Sequence, residues 1–205
     1  IIILEPNMNE TNFKEVLIFQ ISGKFAHFKK FYSNKSSLTY KIPPRTVLMG
    51  IIASILEETR DSYYEWLSPV NSKIGLRIID SGYSHFECSN YLMSDGGHTQ
   101  VRLELLIGRN KNIVYQVYFA SNDINKFQKI EKRIREGNLG YGIYLGQRQF
   151  KANICFIEKL KISDIKKNHN CEIQTVANEE DVIELLENNE IIISMEKMPV
   201  SFQPN

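Results

Sequence analysis

Val16 to Ser22 reads Val-Leu-Ile-Phe-Gln-Ile-Ser and closes on Gly23, the pattern of a core strand ending in a turn. Lys24 to Ile42 sustains no period and runs into Pro43-Pro44, where fixed φ angles and missing N–H groups bar helix and central strand, so a long exposed loop is expected. Behind the prolines, Val47, Leu48, Ile51, Ile52, Ile55 and Leu56 recur at helical offsets and predict an apolar helix, opening at Pro44 or Arg45 and packed on a sheet. Asp61 to Leu67 is expected to continue as a short helix stopped by Pro69. Alternation returns at residues 73–83 and 100–107, and the polar stretch between them contains Asp95-Gly96-Gly97, which predicts a projecting hairpin, a thumb at about 83–100. Ile113 to Ala120 reads as a further strand, and Ile124, Phe127, Ile130 and Ile134 mark an amphipathic helix reaching Glu136. Gly137, Gly140, Gly142 and Gly146 form a glycine-rich loop ahead of a strand near Ala152 to Ile157.

The resulting order, strand, helix, strand, strand, helix, strand, predicts an α+β chain with a ferredoxin-like (RRM-like) βαββαβ domain, both helices on one face of an antiparallel sheet. At 205 residues there is room for one such domain with a decorated edge. Residues 16–157 form the domain with its thumb, and residues 1–15 are a leader or arm to which no role is assigned. Residues 158–205 form an acidic extension, with eight acids from Glu172 to Glu196, a helix expected near Glu179 to Leu186 and a strand near Ile191 to Met195.

Charge changes this picture in one place. The chain has 25 Lys and Arg against 24 Asp and Glu, yet Val16 to Leu56 contains six cations (Lys24, Lys29, Lys30, Lys35, Lys41, Arg45) and no acid. Phe25, His27, Phe28, Phe31, Tyr32 and Tyr40 are interleaved with them. Ammonium groups that track phosphates beside rings that stack on bases suit a polyanion, most naturally RNA, whereas a plain solubilising surface is the alternative. Three cysteines without Cys-x-x-Cys spacing suggest neither a disulfide framework nor a zinc knuckle. No apolar run approaches the length of a membrane span, and a cytoplasmic protein without membrane contact is expected.

Candidate chemistry is sparse. No phosphate-binding G-x-x-x-x-G-K-[ST] occurs, and the glycine spacing is wrong for a dinucleotide fingerprint. His85-Phe86-Glu87 lacks the Pro-Cys-x-x-Cys that zinc deaminases require, so neither metal nor cofactor is expected. The glycine-rich loop fits a helix stop and turn as well as a backbone approach to phosphate, with Arg148 beside it. Tyr83, Phe86 and Tyr91 on the thumb suit base stacking or packing within the hairpin.

The stretch AHFKKFYSNKSSLTYKIPPRTVLMGIIASIL (Ala26 to Leu56) resembles the N-terminal signature of the fifth CRISPR-associated protein family, through Pro43-Pro44-Arg45-Thr46 and Gly50-Ile51-Ile52-Ala53. His98-Thr99-Gln100, Tyr115 to Phe119, Tyr144-Leu145-Gly146 and Ala152-Asn153-Ile154 resemble later family blocks in the same order, so the likeness covers roughly Val16 to Ile157. It implies a RAMP-superfamily subunit of a type I Cascade complex, type I-B-like, that grips the 5′ handle of CRISPR RNA and caps the backbone filament in antiviral defence. The implied partners are that handle, the backbone and large subunits, and target DNA through the complex, while guide pairing supplies target specificity. Within this model Lys24, His27, Lys29, Lys30, Lys35 and Arg45 are phosphate or base contacts, Tyr32 and Tyr40 stack, and Arg148 is a further contact. Arg45 has a second use, bracing the loop through carbonyls. One branch of the family is a metal-independent endoribonuclease that uses Tyr with Lys and His. Tyr40 and His98 are the matching candidates, but no Lys-His pair occurs, so a noncatalytic binder is expected. A scaffold acting only through protein contacts is the third reading.

Overall fold

A computed structural model describes residues 2–4, 13–33, 36–165, 182–185 and 194–202, with 2–4 and 182–185 as backbone alone. Its elements are β1 (Ile2–Leu4), β2 (Glu15–Gly23), β3 (Phe25–Ala26), β4 (Phe28–Lys29), β5 (Thr39–Tyr40), α1 (Arg45–Leu56) and β6 (Ser72–Asp80). These are followed by β7 (Tyr83–Leu92), β8 (His98–Ile107), β9 (Ile113–Ser121), α2 (Ile124–Glu136), β10 (Ala152–Lys161) and β11 (Val182–Leu185). A four-stranded antiparallel sheet of order β10-β2-β9-β6 forms the body. A three-stranded sheet of order β3-β8-β7 projects from it, and β4 pairs with β5.

The alternation of β2 explains the core. Leu17, Phe19 and Ile21 are buried and lie opposite Phe119, Val117 and Tyr115 of β9, which are buried as well. One apolar cluster joins these six to Leu48, Met49, Ile52 and Ile55 of α1 and to Phe127, Ile130 and Ile134 of α2, and Phe119 stacks on Phe127 at 6.0 Å. Each fully buried large side chain contributes about 1.5–3 kcal/mol, which fastens both helices to the sheet. Pro44 caps α1, whose left-handed C-cap is Glu57. Asp123 caps α2 by accepting the Lys126 amide at 3.0 Å, and Gly137 ends it in the left-handed conformation. No helix among the described residues is long and apolar enough to cross a membrane.

Four expectations need correction. Residues 61–67 form successive turns, and Asp61 at φ 67° breaks the helical path. The alternating stretch 73–83 is two strands: β6 ends at Asp80, Gly82 turns at φ 66°, and β7 then pairs with β8 from Tyr83↔Ile107 to Leu92↔His98. The expected loop 24–42 carries three two-residue strands and many buried side chains. Where a helix was expected near Glu179 to Leu186, Val182–Leu185 is β11, paired antiparallel with β1. That pairing joins the expected leader to the expected acidic extension. Of the strand expected near Ile191 to Met195, residues 191–193 lie outside the described residues, and Ser194 and Met195 are irregular.

Candidate nucleic-acid interface

The acid-free segment is built around a buried polar framework. His27 is 1% exposed; its Nδ1–H donates to the Glu104 carbonyl at 2.7 Å and its Nε2 accepts from Ser37 Oγ at 2.9 Å. Both ring nitrogens are satisfied in the neutral form, and burial lowers the His27 pKa despite the opposing pull of Glu104. The Glu104 carboxylate, also buried, accepts the Thr39 amide at 3.1 Å and lies 3.9 Å from Lys41 Nζ. Ser37 is tied to β8 on both sides, its amide donating to the Arg102 carbonyl and its own carbonyl accepting the Glu104 amide, each at 2.9 Å. This network fastens His27, Ser37 and Thr39 to β8.

Arg45 and Tyr40 also turn inward. Arg45 Nη2 donates to the carbonyls of Leu67 (2.8 Å) and Ser72 (3.2 Å) and to Ser72 Oγ (3.0 Å), and Nη1 reaches the Val200 carbonyl at 3.1 Å. Arg45 thus braces carbonyls outside the expected loop 24–42, and burial lowers its pKa from the ordinary guanidinium value. Tyr40 is fully buried, and its hydroxyl donates to the Lys197 carbonyl at 2.6 Å. Burial raises its pKa, aided by Tyr32.

The outer layer of the same segment faces water. Lys24, Lys29 and Lys41 are exposed, as are Phe31 (65%) and Tyr32 (49%), whose rings meet edge to face at 5.2 Å. Lys35 lies outside the described residues. Lys24 Nζ sits over the Phe25 ring, and Phe25 meets Phe150 at 6.2 Å, which brings Lys24 beside the loop that bears exposed Arg148 and Lys151. Lys41 donates to Ser84 at the base of β7, so the cationic surface runs on to the hairpin. Lys30 differs from its neighbours. Its Nζ pairs with Glu196 at 2.5 Å and lies 5.7 and 5.6 Å from the ring centres of Tyr32 and Tyr40, and Tyr32 Oη donates to the other Glu196 oxygen at 2.8 Å. Burial alone would lower the Lys30 pKa, but the bonds to Glu196 and Tyr32 raise it on balance. Glu196 is held below the usual carboxylate value, chiefly by Lys30.

The hairpin divides its aromatic residues. Successive strand residues face opposite sides, so Tyr83 and Tyr91 share one face and Phe86 lies on the other, where the Arg102 guanidinium sits 4.3 Å from its ring centre. All three aromatics are 40–46% exposed. His98, exposed opposite Leu92 at the tip, lies six residues along β8 from Glu104, which is about 20 Å at strand rise. The glycine-rich loop is explained within the chain: a Cβ at Gly146 (φ 90°) would come within 1.9 Å of the His27 carbonyl, and one at Gly140 within 2.3 Å of the Ser54 carbonyl. Sequence reasoning missed Glu104, Ser37, Arg102, Lys151 and Glu196. Only Glu104 carried a signal, an acid followed by Leu105 and Leu106 in a strand pattern.

No family model matches the chain, and no curated protein matches it. Among solved structures, a chain of a CRISPR RNA-guided surveillance complex superposes with a TM-score of 0.52 at 14% identity, over 66% of this chain and 59% of that one. A structure of a Cas protein gives 0.47 at 14% identity over 65% and 57%, and one of a CRISPR-associated protein gives 0.40 at 18% over 70% and 66%. The match thus spans less than two thirds of each of these chains. Only the first superposition carries weight, and at its level of identity what this chain shares with the surveillance-complex chain is the fold.

Proposed function

We propose that this chain is the noncatalytic guide-RNA-binding subunit of a type I CRISPR surveillance complex, in the fifth CRISPR-associated family and type I-B-like, gripping the 5′ handle of the guide. Its sheet, with the strand-helix-strand-strand-helix-strand order and all pairings antiparallel, reads as the ferredoxin-like domain of the RAMP superfamily. The observation that carries the proposal is the two-layered basic segment. A buried framework of His27, Ser37 and Glu104 presents Lys24, Lys29, Lys41, Phe31 and Tyr32 outward, beside Arg148 and the hairpin, in a fold shared with a surveillance-complex chain. Exposed cations track phosphates and exposed rings stack on unpaired bases, a combination suited to a short single-stranded handle. In this reading His27, Tyr40 and Arg45 position the surface and do not touch RNA, while the hairpin reaches toward the backbone subunit.

The rival endoribonuclease needs Tyr40 and His98 on one ribose. A fully buried Tyr40 hydroxyl engaged by a carbonyl, with His98 at the far tip of β8, argues for binding over cleavage. The test is incubation of the purified chain with labelled repeat RNA in EDTA-containing buffer. Binding that weakens as salt rises, with the RNA left intact, is expected. Specific cleavage abolished by Tyr40→Phe would overturn the noncatalytic assignment, and absence of salt-dependent binding would favour a scaffold without RNA contact.

A further inference from the structure

Glu196 belongs to an irregular segment, residues 194–202, that joins no strand and crosses the basic surface. The segment is anchored beyond Glu196. Tyr40 Oη holds the Lys197 carbonyl at 2.6 Å, Met198 packs against the core, Arg45 holds the Val200 carbonyl at 3.1 Å, and Phe202 stacks on Tyr64 at 4.2 Å. Glu196 itself is attached only through its side chain in the described contacts, by Lys30 Nζ on one oxygen and Tyr32 Oη on the other. Two oxygens of one anion, taken by an ammonium and a hydroxyl at the mouth of a Tyr32–Tyr40 aromatic pair, form the arrangement by which a protein receives the two free oxygens of a phosphodiester.

We propose that Lys30 Nζ and Tyr32 Oη form a phosphodiester subsite that Glu196 occupies in the free chain, so that RNA and the Glu196 carboxylate compete for it. The proposal rests on the RNA-binding reading and adds to it a built-in competitor. The exchange requires no lifting of the anchored segment. Rotation of the Glu196 side chain into solvent frees both donors, and a phosphate arriving on a strand already held by Lys24 and Lys29 takes its place. Leaving the carboxylate there would set two anions on one ammonium, so affinity is restrained until the exchange occurs.

The test measures binding of a single-stranded RNA of about 20 nucleotides by fluorescence anisotropy across a salt series, using the full chain. Glu196→Gln keeps the shape and removes the charge. It should tighten binding about tenfold and steepen the salt slope by about 0.7, the value for one additional phosphate contact on a single strand. Adding Lys30→Gln should cancel both gains, because the freed donor is then missing. If Glu196→Gln leaves affinity unchanged while charge reversal at Lys24 and Lys29 still weakens binding, the competition is overturned and the RNA-binding reading stands. If neither the natural chain nor Glu196→Gln binds RNA, both are overturned.

Discussion

His27 and Tyr40 stand among the same lysines and aromatics as Lys29 and Tyr32, yet the first pair is buried and hydrogen-bonded while the second faces water. The inner layer consists of groups whose polar atoms find partners inside the chain: a histidine between a carbonyl and a serine, a tyrosine on a carbonyl, an arginine on three carbonyls. The outer layer consists of groups open to water, among which Tyr32 and Lys41 also hold a partner in the chain. Composition alone does not separate the two. Nor does strand alternation, since His27 is buried and Lys29 exposed at the same parity and β5 buries both Thr39 and Tyr40; partners distant in the chain do. A basic, aromatic segment therefore reads as a surface mounted on a scaffold, and mutations in the two layers should fail in different ways.

The largest effect is expected at Arg45. Arg45→Ala should lower stability by about 3 kcal/mol in urea unfolding, because the carbonyls of buried Leu67 and Ser72 lose their donor, and Arg45→Lys should restore only part, lacking the fork. His27→Ala should cost about 2 kcal/mol and also change the pH dependence. Burial depresses the His27 pKa in the folded chain, so its contribution to stability is full above the ordinary histidine value and lost as pH falls through it. Unfolding curves at about pH 7.5 and about pH 5.5 should converge for His27→Ala relative to the natural chain; an unchanged gap would return His27 to the surface layer. In the outer layer, Lys24→Glu with Lys29→Glu should leave stability within about 0.5 kcal/mol while weakening RNA binding about tenfold or more and flattening its salt slope. Loss of stability without loss of binding would erase the distinction. The smallest effect belongs to Tyr40→Phe, which removes one hydroxyl and should cost about 1 kcal/mol, with RNA affinity nearly unchanged.

Most of the body was legible in the sequence. Pro43-Pro44 and the apolar offsets behind them place α1, the spacing of Phe127, Ile130 and Ile134 places α2, and the apolar runs at Val16 and Ile113 place the two central strands. The split of residues 73–83 was missed because Ser81-Gly82 interrupts an alternation that resumes with the same parity on a different sheet. Residues 61–67 misled because Tyr63, Trp66 and Leu67 have helical spacing, while Asp61 takes a backbone conformation no pattern of apolar residues reveals. The site was legible as a region but not by residue. Whether a lysine or histidine faces in or out depends on partners such as Glu104, 77 positions from His27, and Glu196, 166 positions from Lys30.

Those separations also bear on the order in which the surface is completed. The hydrogen bonds of the crossing segment link residues 155 to 166 positions apart, spanning most of the sequence. The β10–β2 pairing of the body already joins Glu15 to Lys161, so once it has formed the crossing segment closes only a short further loop. While the chain is being synthesised, Lys30 and Tyr32 exist before Glu196 does, and the cationic face is at its most open in the interval before Glu196 emerges. A nascent chain meeting RNA in that interval meets it without the competing carboxylate, so the timing of encounter relative to synthesis becomes a variable in how the surface is first filled.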